Sequence, residues 1–374
     1  MKIIKDIGSI GIADITATGI GSVFWLYLAS LLAADDYGEI QFYLSIAGMA
    51  FAFSMIGTKN SIIVYEAKKI ALRKTLFTIS IIGGIGISII LWVLYERFDV
   101  IAVTLGMIFS ELGFGYYLGK KLFFKYGIFI ILQKILMISL AIGLYFVIGI
   151  EGILYGIGLS YIPLVLIVFK SLKETKYDIK LLRKHSGFII NNYSLIIFGN
   201  AKGNLDKILI APLVGFAVLG NYALAFQVYL LLMVFTNIIY KYSLPHDSSG
   251  SISNKFKTIT VIISIGLALI GILIVPEILP IYFPNFTDAI EAIPILSLAI
   301  IPNTISLLYS SKFLGAEKSK FILIGSIINL GTYLPLIFFL GETYLIQGIS
   351  ISYLISAIVY CSFLVIMDKK QNRL

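Results

Sequence analysis

One cysteine, Cys361, and two histidines, His185 and His246, are all this 374-residue chain holds of those residue types. A single thiol excludes an intramolecular disulfide and any cysteine-rich metal site, and two histidines in different gaps make no ligand set, so no metal or other cofactor is expected. Charge is scarce as well, at 13% of residues. What is missing above all is polar sequence between the apolar runs, so no connection is long enough to house a separate catalytic domain.

What is present is apolar sequence in long blocks. A helix needs about 20 mostly apolar residues to cross the roughly 30 Å hydrocarbon core of a bilayer. Twelve stretches meet that length: 7–32, 39–57, 76–95, 100–119, 127–149, 152–169, 187–213, 218–240, 258–283, 289–314, 321–340 and 344–367. With so little chain outside the bilayer, the backbone polar groups of each stretch must be satisfied internally, which predicts helices. The expected fold class is an all-α polytopic membrane protein. The first apolar stretch is full span length and runs directly into a second, so it reads as a span and not as a cleaved signal peptide.

The charges fall in an alternating pattern. Of the 29 lysines and arginines, 25 lie at the termini or in every second gap with the span ends beside it, and the other gaps, with their adjoining span ends, hold one, Arg97, among ten acids. By the positive-inside rule both termini and the lysine-rich gaps face the cytoplasm. The net charge of +9 is therefore an orienting charge and gives no reason to expect nucleic acid as a partner.

An internal repeat is also visible. Laying Asp36-Tyr37-Gly38 on Val218-Leu219-Gly220 sets an offset of 182 residues and brings spans one and two onto seven and eight. An even number of spans per half makes the halves parallel repeats, related by an axis along the membrane normal. The expected lobes are residues 1–175 and 185–374, six helices each, joined by a cytoplasmic link over 171–186.

Several runs carry a family resemblance. Leu31-Leu32-Ala33-Ala34-Asp35-Asp36-Tyr37-Gly38-Glu39-Ile40 resembles the first periplasmic turn of polysaccharide-biosynthesis flippases of the Wzx type. Met55-Ile56-Gly57-Thr58-Lys59-Asn60-Ser61-Ile62-Ile63-Val64-Tyr65 is similar to the end of their second helix. Leu205-Asp206-Lys207-Ile208-Leu209-Ile210, Leu219-Gly220-Asn221-Tyr222-Ala223-Leu224-Ala225 and Pro245 are similar to their seventh and eighth helices. The resemblance implies the multidrug/oligosaccharidyl-lipid/polysaccharide (MOP) exporter fold, MATE-like, and a lipid-linked sugar as cargo. The chain is short for that family and has no fingerprint for one sugar.

Charges inside the spans are the first place to look for function, because each costs at least about 2.5–3.5 kcal/mol at bilayer depth and needs a partner or a wet cavity. Apart from those near span ends or in the proline-rich stretch 275–284, there are six: Asp14, Glu111, Lys134, Lys202, Asp206 and Lys207. Lys202 and Asp206 share a helix face and are placed to pair, leaving Lys207 unpaired toward a cavity. Glu111 and Lys134 either pair with each other or serve transport. Lys59 is a further cavity candidate, with snorkelling at the rim as its alternative. Asp14 is an ion-coupling candidate, the alternative being a satisfied hydrogen bond. Tyr193 is a candidate for stacking on sugar.

Other motifs carry less. Gly115 and Gly119, like Gly152 and Gly156, have the spacing of close helix packing. Gly113 to Lys121 fails the P-loop pattern, so ATP hydrolysis is not expected. Asn285-Phe286-Thr287 reads as a chance glycosylation sequon. These readings favour a flippase, not an enzyme, moving a polyprenyl-phosphate-linked glycan across the cytoplasmic membrane, with glycan-assembly enzymes as partners beside the bilayer. The alternatives are a cation-coupled exporter of small organic cations of the MATE type and, from another class, a membrane-embedded sugar polymerase or glycosyltransferase.

Overall fold

The computed structural model describes residues 2–173, 177–248, 254–316 and 318–371; the side chains of 2–10, 202, 241, 242, 244–248, 254 and 255 lie outside the described set. Every regular element among the described residues is a helix. In chain order these are α1 (Lys2–Leu31), α2 (Ala34–Ser54), α3 (Lys59–Ala67), α4 (Arg73–Tyr95), α5 (Phe98–Gly119), α6 (Phe123–Ile148), α7 (Glu151–Leu159) and α8 (Ile162–Leu172). There follow α9 (Ile179–Lys184), α10 (Ser186–Val214), α11 (Phe216–Ser248), α12 (Asn254–Leu273), α13 (Val275–Tyr282), α14 (Ala289–Leu298), α15 (Ile300–Gly315) and α16 (Ser319–Gln371).

Nine of the helical stretches among the described residues are long and apolar enough to cross a membrane, and the bent pair α2 and α3 raises the number to ten. Two further facts reconcile this with twelve expected spans. The 53-residue α16 is interrupted at Leu345, whose backbone (φ 48°, ψ −126°) is not helical, so it holds two spans. Helix α10 covers the expected seventh span, but it is too polar to pass on apolarity alone. The chain is an all-α, multi-pass membrane protein. Large apolar side chains such as Val93, Val147 and Phe339 are exposed, as they are on a face that meets lipid and not water.

Breaks within spans are chemically satisfied. Between α2 and α3 the axis bends by 40°. There the Thr58 hydroxyl accepts from the Ser61 amide (3.3 Å), capping α3, and the Gly57 amide donates to the Ser80 hydroxyl (2.8 Å). Only glycine fits at 57, because a Cβ there would lie 2.7 Å from the Leu76 carbonyl oxygen. Side-chain hydroxyls thus replace the helical bonds that a break inside a bilayer would leave unmade.

Contacts divide the chain into two compact units, residues 1–24 with 42–208, and residues 25–41 with 209–374. In the first, Met55, Ile62, Leu76, Phe77, Ile108 and Leu112 form a core among α2 to α5. The spaced glycines act here as expected: a Cβ on Gly119 would strike the Glu66 side chain of α3, and one on Gly156 would strike the Ala141 backbone of α6. In the second unit, Phe286 is fully buried and meets the Tyr37 ring edge-on at 5.6 Å. The Asn285 amide donates to the Leu32 carbonyl (3.4 Å), so the sequon tripeptide has a packing role.

Candidate functional site

The intramembrane charges described all belong to the first compact unit, and several find partners that sequence spacing did not indicate. Lys59, at the first position of α3 beyond the break, places its ammonium 3.5 Å from Glu111 of α5. Both side chains keep partial exposure, 31% and 22%, which lets the pair remain hydrated. The expected alternative of a Glu111–Lys134 pair is therefore corrected. The bend after Ser54 turns α3 against α5, and so brings Lys59 to a carboxylate 52 positions along the chain.

Lys134 stands apart from this pair. Its ammonium lies against α1, where a Cβ on Gly21 would come within 3.8 Å of it. Among the described residues it forms no ion pair and no hydrogen bond. The glycine leaves room for it, and the neighbouring Gln133 donates to the Ser160 hydroxyl at 2.9 Å.

Asp14 of α1 accepts a 2.7 Å hydrogen bond from the Tyr126 hydroxyl of α6. Tyr126 is itself held edge-on by Phe114 at 5.3 Å. The carboxylate thus has a neutral hydrogen-bond partner and forms no ion pair among the described residues.

The cluster on α10 differs from expectation in one pairing. Asp206, 3% exposed, lies 3.8 Å from the ammonium of Lys207, which also donates to the Gly203 carbonyl at 2.8 Å. Lys207 is thus partnered, and the expectation of an unpaired cation there is corrected. Adjacent Cα atoms diverge by about 100° on a helix, but a lysine stem is long enough to fold back over a turn, and Gly203 exposes its carbonyl. The Lys202 side chain, the other expected partner of Asp206, lies outside the described residues. Tyr193, expected to stack on sugar, donates its hydroxyl to the Phe53 carbonyl at 2.6 Å, at the end of α2 where the break leaves that carbonyl without a helical donor.

The second unit holds a polar network that the sequence reading missed. The hydroxyls of Tyr222 and Tyr333 lie 2.8 Å apart, Tyr353 donates to Tyr229 at 3.2 Å, and Asn303 donates to Tyr229 at 2.9 Å. Phe226 packs among them, 5.3 Å from the rings of Tyr229 and Tyr353. One signal was available: Tyr222, Phe226 and Tyr229 recur at helical spacing on one face of α11. In an apolar helix, that spacing reads as ordinary core.

The architecture has known counterparts. An inward-facing multidrug-resistance MATE transporter of the MOP superfamily superposes with a TM-score of 0.73 at 13% identity, covering 98% of each chain. The chain shares the fold of that transporter. The lipid II flippase MurJ, in an inward closed conformation, gives a TM-score of 0.76 at 15% identity over 96% of this chain and 87% of that one. A MATE protein in complex with MaL6 gives 0.67 at 14% identity over 98% and 96%. No protein-family model and no curated protein matches the sequence. At such identities the MOP likeness is one of fold alone, and cargo has to be argued from the residues.

Proposed function

We propose that this protein is a flippase that carries a polyprenyl-phosphate-linked oligosaccharide across the cytoplasmic membrane by alternating access. The observation that carries the reading is Lys134, a cation inside a span with no ion-pair partner among the described residues. A charge held at that depth without a counter-ion suits a site whose counter-ion arrives with the cargo, and a phosphate supplies it. The partly hydrated Lys59–Glu111 pair offers a second cation that a stronger anion can recruit. Solved structures of this fold include a lipid II flippase as well as multidrug transporters, so the fold accommodates cargo of either kind.

The two parallel lobes, residues 1–175 and 185–374, supply the moving parts in this reading, with both termini and the 171–186 link in the cytoplasm. Asp14 is the coupling residue: protonation or cation binding at its carboxylate, beside the Tyr126 hydroxyl, changes the charge of α1 without disturbing an ion pair. A second reading, a cation-coupled exporter of organic cations, draws on the same carboxylate.

Reconstituted proteoliposomes decide between them. A fluorescent polyprenyl pyrophosphate oligosaccharide in the inner leaflet becomes accessible to an external quencher faster with this protein than in empty liposomes, and Lys134→Ala slows the appearance while leaving insertion intact. Export of an organic cation with no movement of the lipid-linked sugar would reverse the assignment.

A further inference from the structure

Helices α3 and α5 end in the same way. After α3, the Lys69 amide donates to the Glu66 carbonyl (3.1 Å) and the Ile70 amide to that of Tyr65 (2.8 Å). After α5, the Lys121 amide donates to the Leu118 carbonyl (3.0 Å) and the Leu122 amide to that of Tyr117 (2.8 Å). Both are Schellman-type ends, and each puts a lysine in the left-handed position, at φ 56° for Lys69 and 58° for Lys121. Glycine adopts that backbone freely, whereas a Cβ disfavours it. The chain thus twice accepts local strain to place a lysine where glycine is the ordinary residue.

The two ends stand side by side, because the Gly119 backbone closes directly on Glu66. Beside them lies a cavity of about 520 Å³ whose lining includes Glu66, Lys69, Arg73, Lys120 and Lys121. Glu66 is the only acid in that lining among the described residues, and it is engaged by Arg73 at 3.3 Å. Arg73 is 3% exposed, its guanidinium 4.9 Å over the Tyr116 ring, with the Lys120 ammonium 5.5 Å from the same ring. The side chains of Lys69 and Lys121 take no ion-pair or hydrogen-bond partner among the described residues. Lysines near helix C-termini also complement the macrodipole and orient a membrane chain, but any exposed position in the last turn does that. Neither role calls for a left-handed lysine on two helices, or for both to line one cavity.

We infer that this cleft binds a phosphate group, with Lys69 and Lys121 as its two charged arms and the buried Arg73–Glu66 pair as its floor. Four cations against one carboxylate select a dianion or a phosphodiester over a neutral ligand. The cleft opens where two helices leave the lysine-rich side of the membrane, which favours the headgroup of an anionic phospholipid; inorganic phosphate offers the same chemistry. Bridging the two ends holds α3 against α5, the helices that carry Lys59 and Glu111, so occupancy steadies the geometry of that pair.

The test uses the purified full-length protein and two probes, phosphatidylglycerol retained in native mass spectra and inorganic phosphate in thermal unfolding. The informative variant is Lys69→Gly with Lys121→Gly, because glycine relieves the backbone at both positions and the fold is expected to persist. Retention of phosphatidylglycerol should weaken about 30-fold, from roughly a 5-fold loss for each lysine. Lys69→Gln with Lys121→Gln should lose it to the same extent, which covers any failure of the glycine variant to fold. Lys180→Gln with Lys184→Gln, outside the cavity, should retain the lipid. Lysine-dependent protection by inorganic phosphate without lipid retention would keep the phosphate site and assign its occupant to the free ion. Equal retention by wild type and both double variants, or no response of the wild type to either probe, overturns the proposal.

Discussion

Gly38 at the start of α2 and Gly220 at the start of α11 press backbone to backbone, and each meets the residue four positions before the other. A Cβ on Gly38 would strike the carbonyl oxygen of Phe216, and one on Gly220 would strike that of Ala34. The contact is isologous, as an exact two-fold would make it, and its partners differ by the same 182 residues that align the two sequence halves. The contact thus joins the same two segments that the 182-residue offset aligns in sequence.

Alanine at either glycine should therefore be costly. Gly38→Ala and Gly220→Ala are each expected to lower stability by about 1–3 kcal/mol or more, since the added carbon meets backbone and not a movable side chain. Gly331→Ala is the comparison: nothing lies within 4 Å of its built Cβ, so the substitution should be neutral or mildly stabilising. Thermal unfolding of the detergent-solubilised variants measures the difference, and equal melting of all three would refute the close approach.

The Lys59–Glu111 contact should behave as a pair. Glu111→Gln and Lys59→Gln are each expected to reduce transport. The exchange Lys59→Glu with Glu111→Lys should recover membrane abundance better than either reversed charge alone. The two side chains are partly exposed, so the coupling energy should be modest, about 1 kcal/mol or less. A double-mutant cycle on unfolding gives it; a coupling of zero would mean that the 3.5 Å approach is incidental.

Lys134→Ala should weaken binding of a pyrophosphate lipid by about 10- to 100-fold, the range for losing one charge-assisted hydrogen bond, and Lys134→Arg should restore part of it. Because no ion-pair partner among the described residues is orphaned by the change, membrane abundance should stay near that of the wild type. Loss of abundance with unchanged affinity would make the lysine structural.

Asp14→Asn should abolish the dependence of transport on an imposed ion gradient while leaving exchange at equilibrium. Tyr126→Phe, which removes the 2.7 Å hydrogen bond but no charge, should keep gradient dependence. Measuring both variants with and without a gradient separates a coupling carboxylate from a merely satisfied one.

Orientation is tested by cysteine labelling in a Cys361→Ala background. Ser171 is only 1% exposed and is a poor reporter, so the neighbouring exposed Lys173 and Lys180 are the positions to replace. Both should react only with reagents that cross the membrane; labelling by an impermeant reagent from outside would invert the topology.

The helices were legible in the sequence because a membrane span is a one-dimensional property. Length and apolarity along the chain decide it, and all twelve expected spans map onto helical segments among the described residues, including the more polar α10 and the two spans of α16, which meet at the break at Leu345. The charged residues to inspect were equally visible, since a charge within a span is conspicuous wherever it lies. Their partners were not. Lys59 reaches Glu111 only because the break at Gly57, satisfied by Ser80, turns α3 toward α5. Lys207 folds back on Asp206 and Gly203 through side-chain torsions that helical periodicity does not specify. The cleft of Lys69 and Lys121 requires two chain reversals 52 residues apart to fall side by side. Composition and patterning determined that this chain crosses a membrane many times; which charges meet was decided by helix packing, because pairing depends on distances between segments far apart in sequence.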